Sequence, residues 1–166
     1  MRAVRLACLV LLCSIALAVQ AKGDVSHYVD ELSCSSGPYG LKLPKSYEAL
    51  RKLGPLVSER LVREEDLGPY KARYRDLVFN GLRVGVVTYS NDPDRYEVTS
   101  AEIRSARWRI AGPFRTGQAL PPVVGDVATK ALPGSATVEF SGEEDTVRVR
   151  LLGRRISVLT YLCVAD

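Results

Sequence analysis

The stretch Phe79 to Ile103, FNGLRVGVVTYSNDPDRYEVTSAEI, constrains this chain more than any other. Leu82, Val84 and Val86 fall on one side of an extended chain and Arg83, Gly85 and Val87 on the other, the two-residue period of a strand. Asn80-Gly81 in front of it predicts a type I′ hairpin turn, which needs positive φ at both central residues. Lys71 to Phe79 supplies the strand before that turn. Ser90 to Asp94 (SNDPD) reads as a loop and Arg95 to Arg104 as a third strand. The apolar residues of this third strand change parity, from Tyr96 and Val98 to Ala101 and Ile103, so a β-bulge is expected near Thr99–Ser100. An antiparallel sheet of this kind buries one face and needs a layer to cover it.

Helices are the expected cover. In Asp24 to Leu32, the residues Val25, Tyr28, Val29 and Leu32 share one helical face, with Asp24 or Ser26 as cap. In PKSYEALRKLG, Tyr47, Leu50 and Leu53 recur every third residue, Ser46 can cap the start, and Gly54-Pro55 stops the helix. Residues 57–70 are ambiguous, with strand-like Leu61 and Val62 followed by a charge run. A second Gly-Pro-aromatic connector then appears: Gly112-Pro113-Phe114 follows Gly37-Pro38-Tyr39 by 75 residues (112 − 37). After it, Val123 or Val124, Val127, Ala128 and Ala131 have helical spacing between Pro122 and Pro133-Gly134. Strands are expected at Thr137–Phe140, Thr146–Leu152 and Arg155–Val164, with turns at SGEED and Gly153-Arg154. The expected fold is therefore α+β: two helix-plus-antiparallel-meander units, 22–110 and 111–166, forming one two-layer domain.

The N-terminus suggests export. Arg2 and Arg5 precede an uncharged apolar run, Leu6 to Val19, and Val19-Gln20-Ala21 fits a signal-peptidase site, so residues 1–21 read as a cleaved signal peptide. The run is short for a membrane span, which takes about 20 apolar residues. Neither Cys8 nor Cys13 lies in a lipoprotein cleavage context. Cleavage would lower the net charge from +4 to +2, leaving no strong field to steer nucleic acid. It would leave two cysteines, Cys34 and Cys163, which in an oxidising compartment are expected to pair; two free thiols are the alternative.

The stretches LPKSYEALRKLG, VFNGLRVGVVTY and EVTSAEIRSARWRIAGPFRTGQ resemble the helix-plus-meander modules of small exported bacterial proteins. Two such modules make up the β-lactamase-inhibitor protein, and one forms the outer-membrane-assembly lipoprotein domain. The second half departs from the pattern in the prolines of GQALPPVVGD. The resemblance implies binding to other proteins and, in some members, enzyme inhibition.

The inventory for catalysis is thin. His27 is the sole histidine, and no G-x-S-x-G elbow, phosphate loop or zinc ligand set is present. The acidic runs REED (Arg63 to Asp66) and GEED (Gly142 to Asp145) read as solvated turns, because a glycosidase needs two acids set about 5 or 6.5–9.5 Å apart across a cleft. No enzymatic activity and no cofactor or metal is expected. Arg107, Trp108 and Arg109 form an aromatic-basic stretch of the composition found at interface hot spots, the alternative being a core tryptophan between solvated arginines. The expected partner-binding residues are these three with Asn91, Asp92, Asp94 and Arg95 in one loop, Glu143 and Glu144 in another, and Arg148 and Arg150 on a sheet face. The expected function is that of a periplasmic or secreted, non-catalytic protein that binds another exported protein. One version is an inhibitor or immunity protein that blocks a cell-wall hydrolase or toxin. An envelope-assembly scaffold and a carboxylate-dependent hydrolase are the alternatives.

Overall fold

Eight strands share one sheet, in the spatial order β1 (Val25–Tyr28), β8 (Thr137–Ser141), β9 (Thr146–Leu152), β10 (Arg155–Leu162), β5 (Asp92–Ile103), β4 (Leu82–Tyr89), β3 (Lys71–Phe79) and β2 (Leu56–Asp66). The structure, a computed structural model, describes residues 24–165, so the signal-peptide assignment lies outside the described residues. A small ribbon of β6 (Val123–Val124) and β7 (Val127–Ala128) stands apart. Every pairing in the main sheet is antiparallel except β1 with β8.

The expectation of an α+β fold with two helix-meander units is overturned. Among the described residues, helix is confined to one turn, α1 (Tyr47–Arg51), and a three-residue 3-10 segment at Thr129–Ala131. Three physical reasons account for this. In Asp24 to Leu32, β1 turns Val25 and His27 inward and Ser26 and Tyr28 outward, and it gains backbone hydrogen bonds from β8 that an isolated short helix could not match. In 122–134, Gly125-Asp126 makes a tight turn, with Gly125 at φ +60°, so the valines pair as β6 and β7 instead of winding. Residues 57–70, ambiguous in sequence, form the long edge strand β2, whose mostly exposed residues leave no apolar period to read.

The hairpin reading holds, with one change. Phe79 pairs with Leu82 around Asn80-Gly81, yet only Gly81 has positive φ (75°), so the turn is not type I′. Gly153-Arg154 has positive φ at both residues (56° and 62°), between the paired Leu152 and Arg155, and takes the I′ role. The bulge expected near Thr99 is present: Gly85 faces Ser100, whereas the next residue, Val86, faces Val98. A Cβ on Gly85 would lie 2.5 Å from the Ser100 hydroxyl, which explains the glycine.

Leu77, Val84, Ile103, Val138, Phe140, Val147, Val149, Leu159 and Tyr161 fill the covered face. Two long connectors, mostly irregular and carrying the single turn of α1 and the β6–β7 ribbon, lie over it. The first contributes Val29, Leu32, Cys34, Leu41 and Leu50; the second contributes Trp108, Ile110, Phe114 and Val124. Leu41 bridges Ala111, the Tyr39 and Phe114 rings lie 6.0 Å apart, and a Cβ on Gly112 would sit 2.7 Å from the Pro38 carbonyl oxygen. The expected disulfide forms: Cys34 and Cys163 are bonded, with Cα atoms 5.7 Å apart. Asp145 reinforces it by accepting from the Cys34 and Val164 amides at 2.6 and 3.0 Å.

Candidate functional site

Among the described residues, the opposite face of the sheet has no covering layer over its centre, and strand alternation decides what it displays. Cα partners run in line across all eight strands: Ser26, Glu139, Arg148, Thr160, Glu102, Arg83, Val78 and Ser58. The neighbouring row is Tyr28, Ser141, Thr146, Leu162, Ser100, Gly85, Asp76 and Arg60. In the first row anions and cations alternate as Glu139, Arg148, Glu102 and Arg83, and in the second Asp76 faces Arg60, so cross-strand pairing orders these charges. Arg148 donates from two nitrogens to Glu139 at 3.0 and 2.8 Å, and Arg104 donates to Glu102 at 2.7 Å. A groove of about 450 Å³ opens between these pairs, with Asp24, Arg104, Arg148 and Arg150 among its walls. Arg150 is exposed and makes no ion pair among the described residues.

Asp76 anchors the far side of this face. Its side chain is 12 % exposed and accepts from Arg83 and from Arg60. Burial raises its carboxyl pKa, but the hydrogen bond and charge of Arg83, with those of Arg60, outweigh it and hold the group below its ordinary value. A comparable cluster on the covered side joins α1 to the sheet. Tyr47 donates to Glu59 at 2.8 Å, and Arg51 and Arg75 reach the same carboxylate at 2.8 and 3.0 Å. Burial and the anionic partner push the Tyr47 phenol up.

The expected partner residues scatter over four places. Arg148 and Arg150 face the groove on the open sheet. Asn91, Asp92 and Arg95 lie at the β4–β5 tip, where SNDPD is a two-residue turn, Ser90-Asn91, closing between Tyr89 and Asp92. Asp94 turns away from that tip and accepts from the Glu48 amide at 3.0 Å, supporting the N-terminus of α1 beside its Ser46 cap. Glu143 and Glu144 are exposed in the β8–β9 turn. Arg107–Arg109 is not a strand. Trp108 is 9 % exposed, meets the Phe79 ring edge-on at 5.7 Å and donates to the Asn80 carbonyl at 3.0 Å. Arg107 covers the Trp108 ring at 4.7 Å, so this tryptophan is core with flanking solvated arginines.

Two further clusters are structural. His27 lies on the covered side of β1 with its ring stacked on Phe140 at 6.0 Å. Cys34, Asp145 and Cys163 come within 4.8 Å of one another, but the sulfurs are spent on each other and the carboxylate on two amides.

Sequence reasoning missed Glu139, Glu102 and Arg104, the partners and neighbours of the face arginines, and Tyr70 and Tyr89 at the hairpin tips. Alternation through Thr137–Ser141 carried the signal for Glu139, since Val138 and Phe140 must point inward. Comparison with protein-family models, with curated proteins and with solved structures returns no match in any of the three.

Proposed function

We propose that this chain is an exported, non-catalytic protein that binds another exported protein through the open face of its sheet. The reading is supported by one observation above all: among the described residues, eight strands present an ordered polar face with no covering layer over its centre, and an arginine without an ion pair borders its groove. Arginine–carboxylate pairs already fixed across the strands, Arg148–Glu139 and Arg83–Asp76, need little further side-chain ordering when a partner docks, which lowers the entropic cost of binding. The disulfide is consistent with an exported protein. Blocking the active site of a cell-wall hydrolase or toxin is the specific form of binding we favour, because steric occlusion asks for no catalytic group on this chain.

The test is affinity capture of periplasmic proteins by the purified chain, followed by a measured dissociation constant for each protein retained. Charge reversal at Arg148→Glu with Arg150→Glu places like charges against whatever complements the groove, which costs several kcal/mol at a complementary interface, or about a hundredfold in affinity or more. Failure to find an exported partner tighter than micromolar, or a partner indifferent to the double reversal, refutes the proposal.

A further inference from the structure

At the end of the sheet where the disulfide also lies, the β2–β3 and β4–β5 tips enclose a second concavity of about 250 Å³, lined by Tyr70, Tyr89, Asn91, Asp92 and Arg95. The Tyr70 and Tyr89 rings meet edge to face, 5.7 Å apart at 80°. Glu97 fixes two of the walls: it accepts from the Tyr89 hydroxyl at 2.8 Å and from Arg95 at 2.6 Å. Asn91 and Asp92 make no side-chain hydrogen bond or ion pair among the described residues and are exposed. The concavity thus joins a rigid aromatic corner to unspent polar groups.

We infer that this tip concavity is a binding site for one pyranose ring of a glycan. A sugar ring offers polarised C–H groups on its face, which suit the negative face of an aromatic ring, and hydroxyls at its edge, which suit carboxylate, amide and guanidinium groups. The volume falls below the roughly 300–1,000 Å³ of sites for drug-sized ligands and suits the seating of one ring. A cationic ligand is disfavoured because the chain's own arginines already bring positive charge beside these rings. The Arg95 guanidinium lies 5.5 Å from the Tyr89 ring centre, and that of Arg63 lies 3.9 Å from Tyr74 on the same side of the sheet. This site is separate from the open-face groove, so its success or failure leaves the protein-binding proposal untouched.

The experiment titrates the isotopically labelled full chain with a β-1,4-linked N-acetylglucosamine trimer, an α-1,4-linked glucose trimer and, as a cationic probe, choline, following backbone amide resonances. Binding of a trimer in the millimolar range or tighter is expected, with shifts confined to residues around Tyr70, Tyr89, Asn91 and Asp92. Tyr70→Ala and the exposed-site variant Asp92→Ala should each weaken it about tenfold, while the conservative Tyr70→Phe and the distant, exposed Lys130→Glu should not. Shifts from neither trimer at millimolar concentration, shifts placed elsewhere, trimer binding unchanged in both alanine variants, or choline binding at the tips in place of sugar would each overturn the inference.

Discussion

Replacing both cysteines, Cys34→Ala with Cys163→Ala, removes a cross-link between residues 129 apart in sequence. In the chain-entropy description, a closed loop of about 100 residues is worth about 4.7 kcal/mol at 25 °C, and the logarithm raises this only to about 5 kcal/mol here. Native contacts at the joint survive in the variant, since Asp145 still accepts from the Cys34 and Val164 amides and the Cys163 amide still donates to Thr99. The loss therefore falls mainly on the unfolded state, which becomes free to expand. For a domain of about 140 residues, 5 kcal/mol corresponds to a fall of roughly 15 °C in melting temperature. Calorimetry of the oxidised wild type and the double variant measures that fall. Urea unfolding supplies a second reading: the slope of stability against denaturant should steepen, because the uncrosslinked chain exposes more surface. A melting temperature lowered by less than about 5 °C with an unchanged slope would refute this account.

Two other perturbations test the placement of charge and bulk. Asp76→Asn leaves Arg60 and Arg83 without their carboxylate and should cost about 1–3 kcal/mol at neutral pH. The folded-state pKa of Asp76 lies below its unfolded value, so its stabilisation is complete above the unfolded pKa of about 3.9 and disappears as pH falls through the folded value; the wild-type advantage in urea midpoint should close below about pH 4 and persist above it. Trp108 is the single tryptophan, so its fluorescence reports one environment: emission should be blue-shifted and protected from acrylamide in the folded chain. Trp108→Ala should destabilise by about 3–5 kcal/mol in urea titration, and a loss under 1 kcal/mol would return this residue to the surface.

The strands with a buried side and a solvated side were legible. Val147, Val149 and Leu151 alternate with Arg148 and Arg150, and both faces of that strand come out as the alternation demands. The bulge at Thr99 was legible for the same reason, because a change of parity cannot persist in an unbroken ladder. Segments whose state depends on a distant partner were not. Val25, Tyr28, Val29 and Leu32 do fit a helical face, and only pairing with Val138 to Ser141 makes Val25 to Tyr28 a strand. The valines around Gly125-Asp126 fit a 3.6-residue period as well as they fit a hairpin, and the turn decides. For binding residues, sequence placed Arg148 and Arg150 on an exposed face but could not bring Tyr70 to Tyr89, which are 19 positions apart (89 − 70) and adjoin through the register of β3 on β4. Trp108 looks the same in sequence whether it anchors a core or an interface.

The parallel pairing of β1 with β8 has a kinetic consequence. Val25 meets Val138 across 113 positions (138 − 25), whereas β2 to β5 and β8 to β10 join through short turns. The two meanders can form from neighbouring segments, and their union through Ile103 and Leu159 spans 56 positions (159 − 103). Contacts of such separation carry a loop-closure cost before they are rewarded, which slows folding in proportion to how many are needed. The first strand is therefore the last to dock. Until it does, β8 is a bare sheet edge, and the folding chain is most exposed to mispairing at Thr137 to Ser141.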